Sequence, residues 1–230
     1  MVDIFKSIQI QTIYECNLKC DFCPNSYIKQ TGEQMKWKLF YKIIDNLKNI
    51  GFKGTVKLYL MNEPLLDDRL LKMVKYIKCQ LPDNEIMIST NGVLLKEDKL
   101  NEFLKNGLNK IIVSCYTEYI YNKVKDWKVS PIKFYEKELQ KQFYNRGGNS
   151  KNYGGKIEQK YCKNPFEQMY ITSNGKALLC CADYRRKVVM GNVDKQDLIE
   201  IWNGKKYNYY RGYLQQGIRK NLKLCKNCNY

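Results

Sequence analysis

The spacing of apolar positions changes period several times along this chain. In SIQIQTIY (7–14) Ile8, Ile10 and Thr12 fall on one side, which predicts a strand. KLFYKIIDNLKNI (38–50) places Leu39, Ile43, Leu47 and Ile50 at helical spacing, and Gly51 ends it. The alternation then repeats. TVKLYL (55–60) predicts a strand, RLLKMVKYIKCQL (69–81) a helix stopped by Pro82, and EIMIST (85–90) a strand. EDKLNEFLKNG (97–107) predicts a helix closed by Gly107, and KIIVSC (110–115) a fourth strand.

Strands alternating with helices predict βαβ units and a parallel sheet. Such folds place their sites at the carboxyl ends of strands. Here polar motifs recur after every strand: CNLKCDFC (16–23) after the first, MNEP (61–64) after the second and TNG (90–92) after the third, while Ser114 ends the fourth. A closed barrel needs eight units and about 250 residues. Four or five fit before residue 140, so an α/β fold with a partial (β/α) barrel is expected.

From about 116 to 161 the pattern weakens. SPIKFYE (130–136) allows one more short strand, and NRGGN (145–149) and YGG (153–155) are loop signals. MYITSNGKALLC (169–180) then reads as a hairpin with Asn174-Gly175 at its turn. DLIEIWNGKKYNYYRGYL (197–214) reads as helical in two pieces around Asn203-Gly204. The expected division is a barrel over 1–150 and a small C-terminal domain over 151–230.

Composition narrows the chemistry. Hydrophobic content of 44% suits a globular chain. No apolar run approaches the roughly 18 residues that cross a membrane, and MVDIFKSIQI has no apolar segment of a signal peptide. The expected location is the cytoplasm. The net charge is +17, but the surplus is mostly dispersed Lys, with no block like a nucleic-acid-binding arm. An anionic small substrate, or neither kind of partner, is expected rather than nucleic acid. The chain has no histidine. That removes Ser-His-Asp triads, Cys-His pairs and His-based zinc hydrolysis. Proton transfer falls to Lys, Tyr, Cys, a carboxylate or water.

Ten cysteines in a reducing compartment point to metal more than to disulfides. Eight are clustered: Cys16, Cys20 and Cys23, then Cys162, Cys180, Cys181, Cys225 and Cys228. Cys79 and Cys115 read as ordinary buried thiols. Three thiolates on a cubane cluster leave one iron open to chelate a small molecule. The spacing C-x3-C-x2-C with Phe22 before its last cysteine resembles the signature of the radical S-adenosylmethionine (SAM) superfamily. It lies after a first strand, as that fold requires.

The resemblance implies a first 4Fe–4S cluster on Cys16, Cys20 and Cys23, with SAM on its open iron. It extends to Asn62 and Glu63 of MNEP, resembling an element that holds the SAM amino group. It extends also to Ser89 and Asn91 of STNG, to Ser114, and to Phe22, all implied to line the SAM site. Cys162, Cys180, Cys225 and Cys228 are similar to the auxiliary-cluster ligands of the SPASM/Twitch subfamily, which implies a second 4Fe–4S cluster in the C-terminal domain. The same four cysteines also suit zinc. CPNS, EPLL, TNG, NRGG, VVMGN, IW and LCKNC resemble, in order, aminocyclitol-oxidising members of that subfamily. There Arg146 is implied to contact substrate, and Tyr116 is a candidate proton relay. The implied reaction is oxidation of a C–H/C–OH centre of a small polar substrate by a 5′-deoxyadenosyl radical, with the auxiliary cluster as electron acceptor. An external one-electron donor of flavodoxin or ferredoxin type is implied. The alternative is a peptide-modifying enzyme of the same subfamily, although the early first strand leaves no room for a leader-gripping domain before it.

Metal analysis of anaerobically prepared protein tests both cysteine sets. The expected result is about eight irons and no zinc per chain. About four irons with one zinc would make the C-terminal site structural.

Overall fold

The computed structural model describes residues 4–133, 145–151, 156–157 and 159–230. The order begins with β1 (Ser7–Ile10), α1 (Trp37–Asn49), β2 (Thr55–Lys57), α2 (Leu70–Gln80) and β3 (Ile86–Thr90). It continues with α3 (Glu97–Lys105), β4 (Lys110–Cys115), α4 (Glu118–Val124) and β5 (Ser130–Lys133). The C-terminal part has α5 (Asn164–Glu167), β6 (Gln168–Ile171), β7 (Lys176–Leu178), β8 (Val189–Asn192), α6 (Leu198–Trp202) and α7 (Lys205–Gln215).

All eight strands form one sheet in the order β5-β4-β3-β2-β1-β6-β7-β8. The pairs from β5 to β6 are parallel, and β7 and β8 add antiparallel pairs. The sheet is therefore continuous across residue 150. β1 pairs on both edges, with Ile8 opposite Val56 on one side and Met169 on the other.

One face of the sheet is apolar. Ile8, Ile10, Val56, Ile86, Ile88, Ile111, Val113, Met169 and Ile171 pack there in a single core with the helices. α1 contributes Leu39, Phe40, Ile43, Ile44 and Leu47, and α2 contributes Leu70, Met73, Val74 and Ile77. Each such fully buried side chain contributes about 1.5–3 kcal/mol. Alternate strand residues turn to the other face. These include the polar and aromatic Gln9, Lys57, Ser89, Ser114 and Tyr170 beside Met87 and Ile112.

Several elements differ from the sequence reading. β1 stops at Ile10, although Gln11 still donates its N–H to the Ile171 carbonyl. α4 was not foreseen; Thr117 caps it by accepting from the Ile120 N–H. β8 was not foreseen either. Cys79 is exposed rather than buried, because α2 turns Met73, Val74 and Ile77 inward and leaves position 79 outside. Of SPIKFYE, the strand occupies 130–133, and the rest lies outside the described residues, as does the loop signal at 153–155. The hairpin and the broken helix at Asn203-Gly204 are where the sequence placed them. No helix among the described residues is long and apolar enough to cross a membrane.

Gly54 sets the approach of β2 to β1. A Cβ there would lie 2.1 Å from the Lys6 carbonyl oxygen and 2.5 Å from the Phe52 ring. Gly54→Ala is expected to destabilise the chain by about 1–3 kcal/mol in urea unfolding. An unchanged midpoint would mean that the strands can separate freely at this point.

Candidate active site

The first site is built from the carboxyl ends of β1, β2, β3 and β4. After β1 the chain forms a loop whose tight end is closed by the Cys23 N–H donating to the Cys20 carbonyl at 2.9 Å. A short turn at Pro24–Ser26 follows, and the Ser26 N–H returns to the Cys23 carbonyl at 3.0 Å. The Gln30 side chain accepts from the Cys16 N–H at 2.6 Å.

The loop is tied to its neighbours by specific bonds. Glu63 donates its N–H to the Glu15 carbonyl at 2.8 Å. The Met61 carbonyl accepts from Asn25 Nδ2 at 3.0 Å and Gln11 Nε2 at 3.2 Å. Asn91 Nδ2 donates to Asn17 Oδ1 at 2.8 Å. The Glu63 carboxylate joins the β2 and β3 rims. It accepts from Thr90 Oγ1 at 2.6 Å, the Asn91 N–H at 2.8 Å and the Leu65 N–H at 3.1 Å. Burial lifts the Glu63 carboxyl above its ordinary range, and these donors partly offset the shift.

These rims enclose a cleft of about 890 Å³. Every residue that the sequence assigned to the first site lines it: Cys16, Cys20, Phe22, Cys23, Asn62, Glu63, Ser89, Asn91, Ser114, Tyr116 and Arg146. Sequence reading missed Asn25, Tyr59 and Tyr184, which line it too. Tyr184 comes from the C-terminal part, and its hydroxyl stands 3.9 Å from Cys23 Sγ. Nothing in the local sequence around Tyr184 announces that contact. Tyr59 carried a usable signal, since strand alternation puts it on the polar face.

Tyr116 packs its ring on Phe22 at 5.1 Å and hydrogen-bonds Ser114. Burial pushes its phenol up to about 12. It is therefore a neutral hydroxyl at neutral pH, able to pass a proton on but not to act as a standing base. Arg146 enters from a turn whose residues 146, 147 and 148 all have positive φ, at 51°, 65° and 76°. Two glycines follow it because added Cβ atoms would stand 2.9 Å from Leu224 and 2.8 Å from Asn227.

That turn reaches three other segments. Ser150 Oγ donates to the Phe22 carbonyl at 2.9 Å, and Asn149 Nδ2 donates to the Ala182 carbonyl at 2.9 Å. Asn145 Nδ2 donates to the Asn227 carbonyl at 2.6 Å, and the Asn145 N–H donates to Asn229 Oδ1 at 2.7 Å.

A second cavity, about 420 Å³, is lined by Cys162, Cys180, Cys225 and Cys228 together with Asn164, Arg219 and Tyr230. It lies toward the amino end of β6, since α5 leads into β6 and Cys180 follows antiparallel β7. Cys180 Sγ accepts from the Ala182 N–H at 3.4 Å and from Asn164 Nδ2 at 3.7 Å. Cys181 turns away. It packs with Cys23 against Met61, Tyr170, Leu178 and Tyr184, between the two cavities.

Both donor sets fit iron–sulfur clusters. A single zinc holds its sulfurs at about 2.3 Å from one point. The thiols of both sets ring cavities, as suits ligands that each bind a different iron of a cluster. Burial and repulsion from Cys23 and Cys16 push the Cys20 thiol up to about 12, a penalty that a cationic centre would remove. In the first cleft two buried polar atoms, Asn25 Oδ1 and Asn62 Nδ2, have no protein partner. They offer an acceptor and a donor to a polar occupant such as SAM.

A family model described as Radical SAM superfamily matches residues 10–120, and SPASM, an iron–sulfur cluster-binding domain, matches residues 162–229. The S-adenosyl-L-methionine-dependent 2-deoxy-scyllo-inosamine dehydrogenase of Niallia circulans is 30% identical over 237 residues, covering 100% of this chain and 94% of that protein. The chain belongs to the radical SAM superfamily. A crystal structure of BtrN in complex with AdoMet and 2-DOIA matches with a TM-score of 0.89 at 28% identity, covering 100% of this chain and 95% of that one. A GTP 3′,8-cyclase of Clostridium perfringens (strain SM101 / Type A) is 30% identical over 112 residues, 48% of this chain and 34% of the cyclase. As a radical SAM enzyme with a SPASM segment, the chain binds SAM and iron–sulfur.

Glu63 braces the β2 and β3 rims of this cleft, so its loss has a defined consequence. In Glu63→Gln an amide N–H₂ must face either the Asn91 N–H or the Thr90 and Leu65 donors. We expect a loss of about 1–3 kcal/mol in stability and at least about tenfold weaker SAM binding by calorimetry. Unchanged SAM affinity would show that the rim holds its shape without the carboxylate.

Proposed function

We propose that this chain is a radical SAM dehydrogenase that oxidises a secondary C–H/C–OH centre of a small polyhydroxylated substrate, of sugar or aminocyclitol type, to a ketone. Cys16, Cys20 and Cys23 hold the first cluster, and Cys162, Cys180, Cys225 and Cys228 hold a second. When bound, these groups and SAM supply a 5′-deoxyadenosyl radical for hydrogen abstraction and an acceptor for the substrate's remaining electron.

The chain's own residues orient and enclose that chemistry. Asn62, Glu63, Ser89, Asn91 and Ser114 form the SAM side of the cleft. Phe22 and the Tyr116 ring pack over it and exclude water. Arg146 holds or polarises the substrate oxygen as a charge-assisted donor. Tyr116, a neutral phenol hydrogen-bonded to Ser114, relays the hydroxyl proton. The two residue sets correspond to a functional division near residue 150 within one continuous sheet.

The observation that carries this reading is the Asn145–Ser150 turn. It sends Arg146 into the three-cysteine cleft while its neighbours clamp the segment that bears Cys225 and Cys228. The substrate-holding cation is thus tied to both sites. The peptide-modifying reading is weaker, because the full-length relative is an aminocyclitol dehydrogenase. A cytoplasmic flavodoxin or ferredoxin is the proposed electron source.

The test is stoichiometry with reconstituted enzyme, SAM, reductant and a panel of polyols. One 5′-deoxyadenosine per ketone is expected. Regeneration of SAM at each turnover would rule out this use of the radical. Arg146→Met should lower kcat/KM about 10–100-fold, since a charge-assisted bond is worth about 1.5–3 kcal/mol, while slow 5′-deoxyadenosine formation without ketone persists.

A further inference from the structure

Lys57 lies on the face of the sheet that carries the first cleft. Val56 and Leu58, on either side of it, point into the apolar core. The Leu58 N–H donates to the Met87 carbonyl at 2.9 Å, so strand alternation continues past the end of β2. Lys57 and Tyr59 therefore turn together to the opposite face. Tyr59 lines the cleft. Two residues on one face of a strand stand about 6.5 Å apart, a gap that a lysine stem can span. The same two groups, Glu85 and Cys181, act by charge on both Lys57 and Tyr59. Cys181 packs in the cluster of Met61 and Tyr184, which line the cleft too. The Lys57 ammonium is thus within reach of the cleft floor.

The protein leaves that charge without a direct partner. Lys57 is half-buried, and its neighbours across the sheet are Gln9 and Met87. Gln9 Nε2 is engaged by Gln168 Oε1 at 3.3 Å. Among the described residues no carboxylate lies within ion-pair distance of Lys57. Glu85 acts on it from farther away and accepts from Thr55 Oγ1 at 2.8 Å. Burial lowers the Lys57 pKa, and the Glu85 and Cys181 charges raise it in part. An anion seated beside the ammonium would favour its charged form further.

The rest of the cleft has the same bias. Arg146 adds a second cation to its lining. Glu63, the one carboxylate among the described lining residues, is engaged by Thr90, Asn91 and Leu65. A substrate ammonium would meet like charge there and no free carboxylate among those residues; a substrate anion would meet cations.

We propose that the substrate carries an anionic substituent, a carboxylate or a phosphate, and that Lys57 holds it while Arg146 takes the oxygen at the reacting carbon. The similar enzyme of Niallia circulans is named for an inosamine, whose amine is cationic at neutral pH. Lys57 gives this chain the opposite preference. The inference rests on the reading of the first cleft as the substrate site of a dehydrogenase. Lys57 touches the substituent and not the reacting atoms, so it sets specificity.

The test is calorimetric binding to the full-length reconstituted holoenzyme with SAM and no reductant, so that no turnover occurs. The ligands are glucose, glucosamine, glucuronate and glucose 6-phosphate, which share one ring and differ in charge. An anionic sugar should bind at least about tenfold tighter than glucose, and glucosamine no tighter than glucose. Comparing glucuronate with glucose 6-phosphate tells a carboxylate from a phosphate. Lys57→Met should lower the ratio of anionic-sugar to glucose affinity by about tenfold or more. Lys57→Arg should keep most of that ratio, and Lys57→Glu should favour glucosamine. Tighter binding of glucosamine than of either anionic sugar overturns the proposal. So does an unchanged ratio in Lys57→Met with its iron retained, or failure of every sugar to bind. If Lys57→Met loses its iron, Lys57→Arg decides: a kept preference supports the charge role, and a lost one refutes it. The dehydrogenase reading fails separately, if the anionic sugar binds through Lys57 but added reductant yields no ketone.

Discussion

Both sites depend on the double pairing of β1. This four-residue strand bonds β2 on one edge and β6 on the other, both parallel. Parallel pairing fixes direction as well as neighbourhood. The three-cysteine loop must leave at the end where β2, β3 and β4 also finish, so the motifs that line the first cleft gather on one rim. The same constraint orients β6, and antiparallel β7 then carries the chain back to Cys180 at the opposite end. The two cavities therefore stand apart on one rigid scaffold, with Tyr170, Leu178 and Tyr184 packed between them.

Electrostatics divides the two cavities. The first cleft contains one carboxylate, Glu63, and its oxygens are already engaged by Thr90, Asn91 and Leu65. It works as a brace, holding two rims that would otherwise be separate turns. The second cavity has a cation with main-chain partners, Arg219. Burying the Glu63 carboxylate costs desolvation, which its three donors partly offset.

The Asn145–Ser150 turn links these elements mechanically. Its left-handed residues are tolerated because Gly147 and Gly148 have no Cβ to strike Leu224 and Asn227. Its side chains bond the first cysteine loop, the Cys180 loop and the last cysteine segment. A displaced turn would move Arg146 and loosen the segment of Cys225 and Cys228 together.

The period of Ile and Leu positions was enough to predict four strands and three helices, because each buries an apolar face against the same core. The motifs at strand ends were enough to name residues that line the first cleft, because loop positions after parallel strands share a rim; the four cysteines that line the second cavity came from the family resemblance. The sequence could not place Tyr184 beside Cys23, nor choose between Cys180 and Cys181. Those outcomes depend on how the hairpin and its loop fold back across the sheet, a contact over 161 positions in the chain. Nor could it distinguish Arg219 from the other basic residues of a chain with 40 of them. Only packing decides which cation loses its water, and Arg219 loses nearly all of it because main-chain oxygens of four residues converge on it.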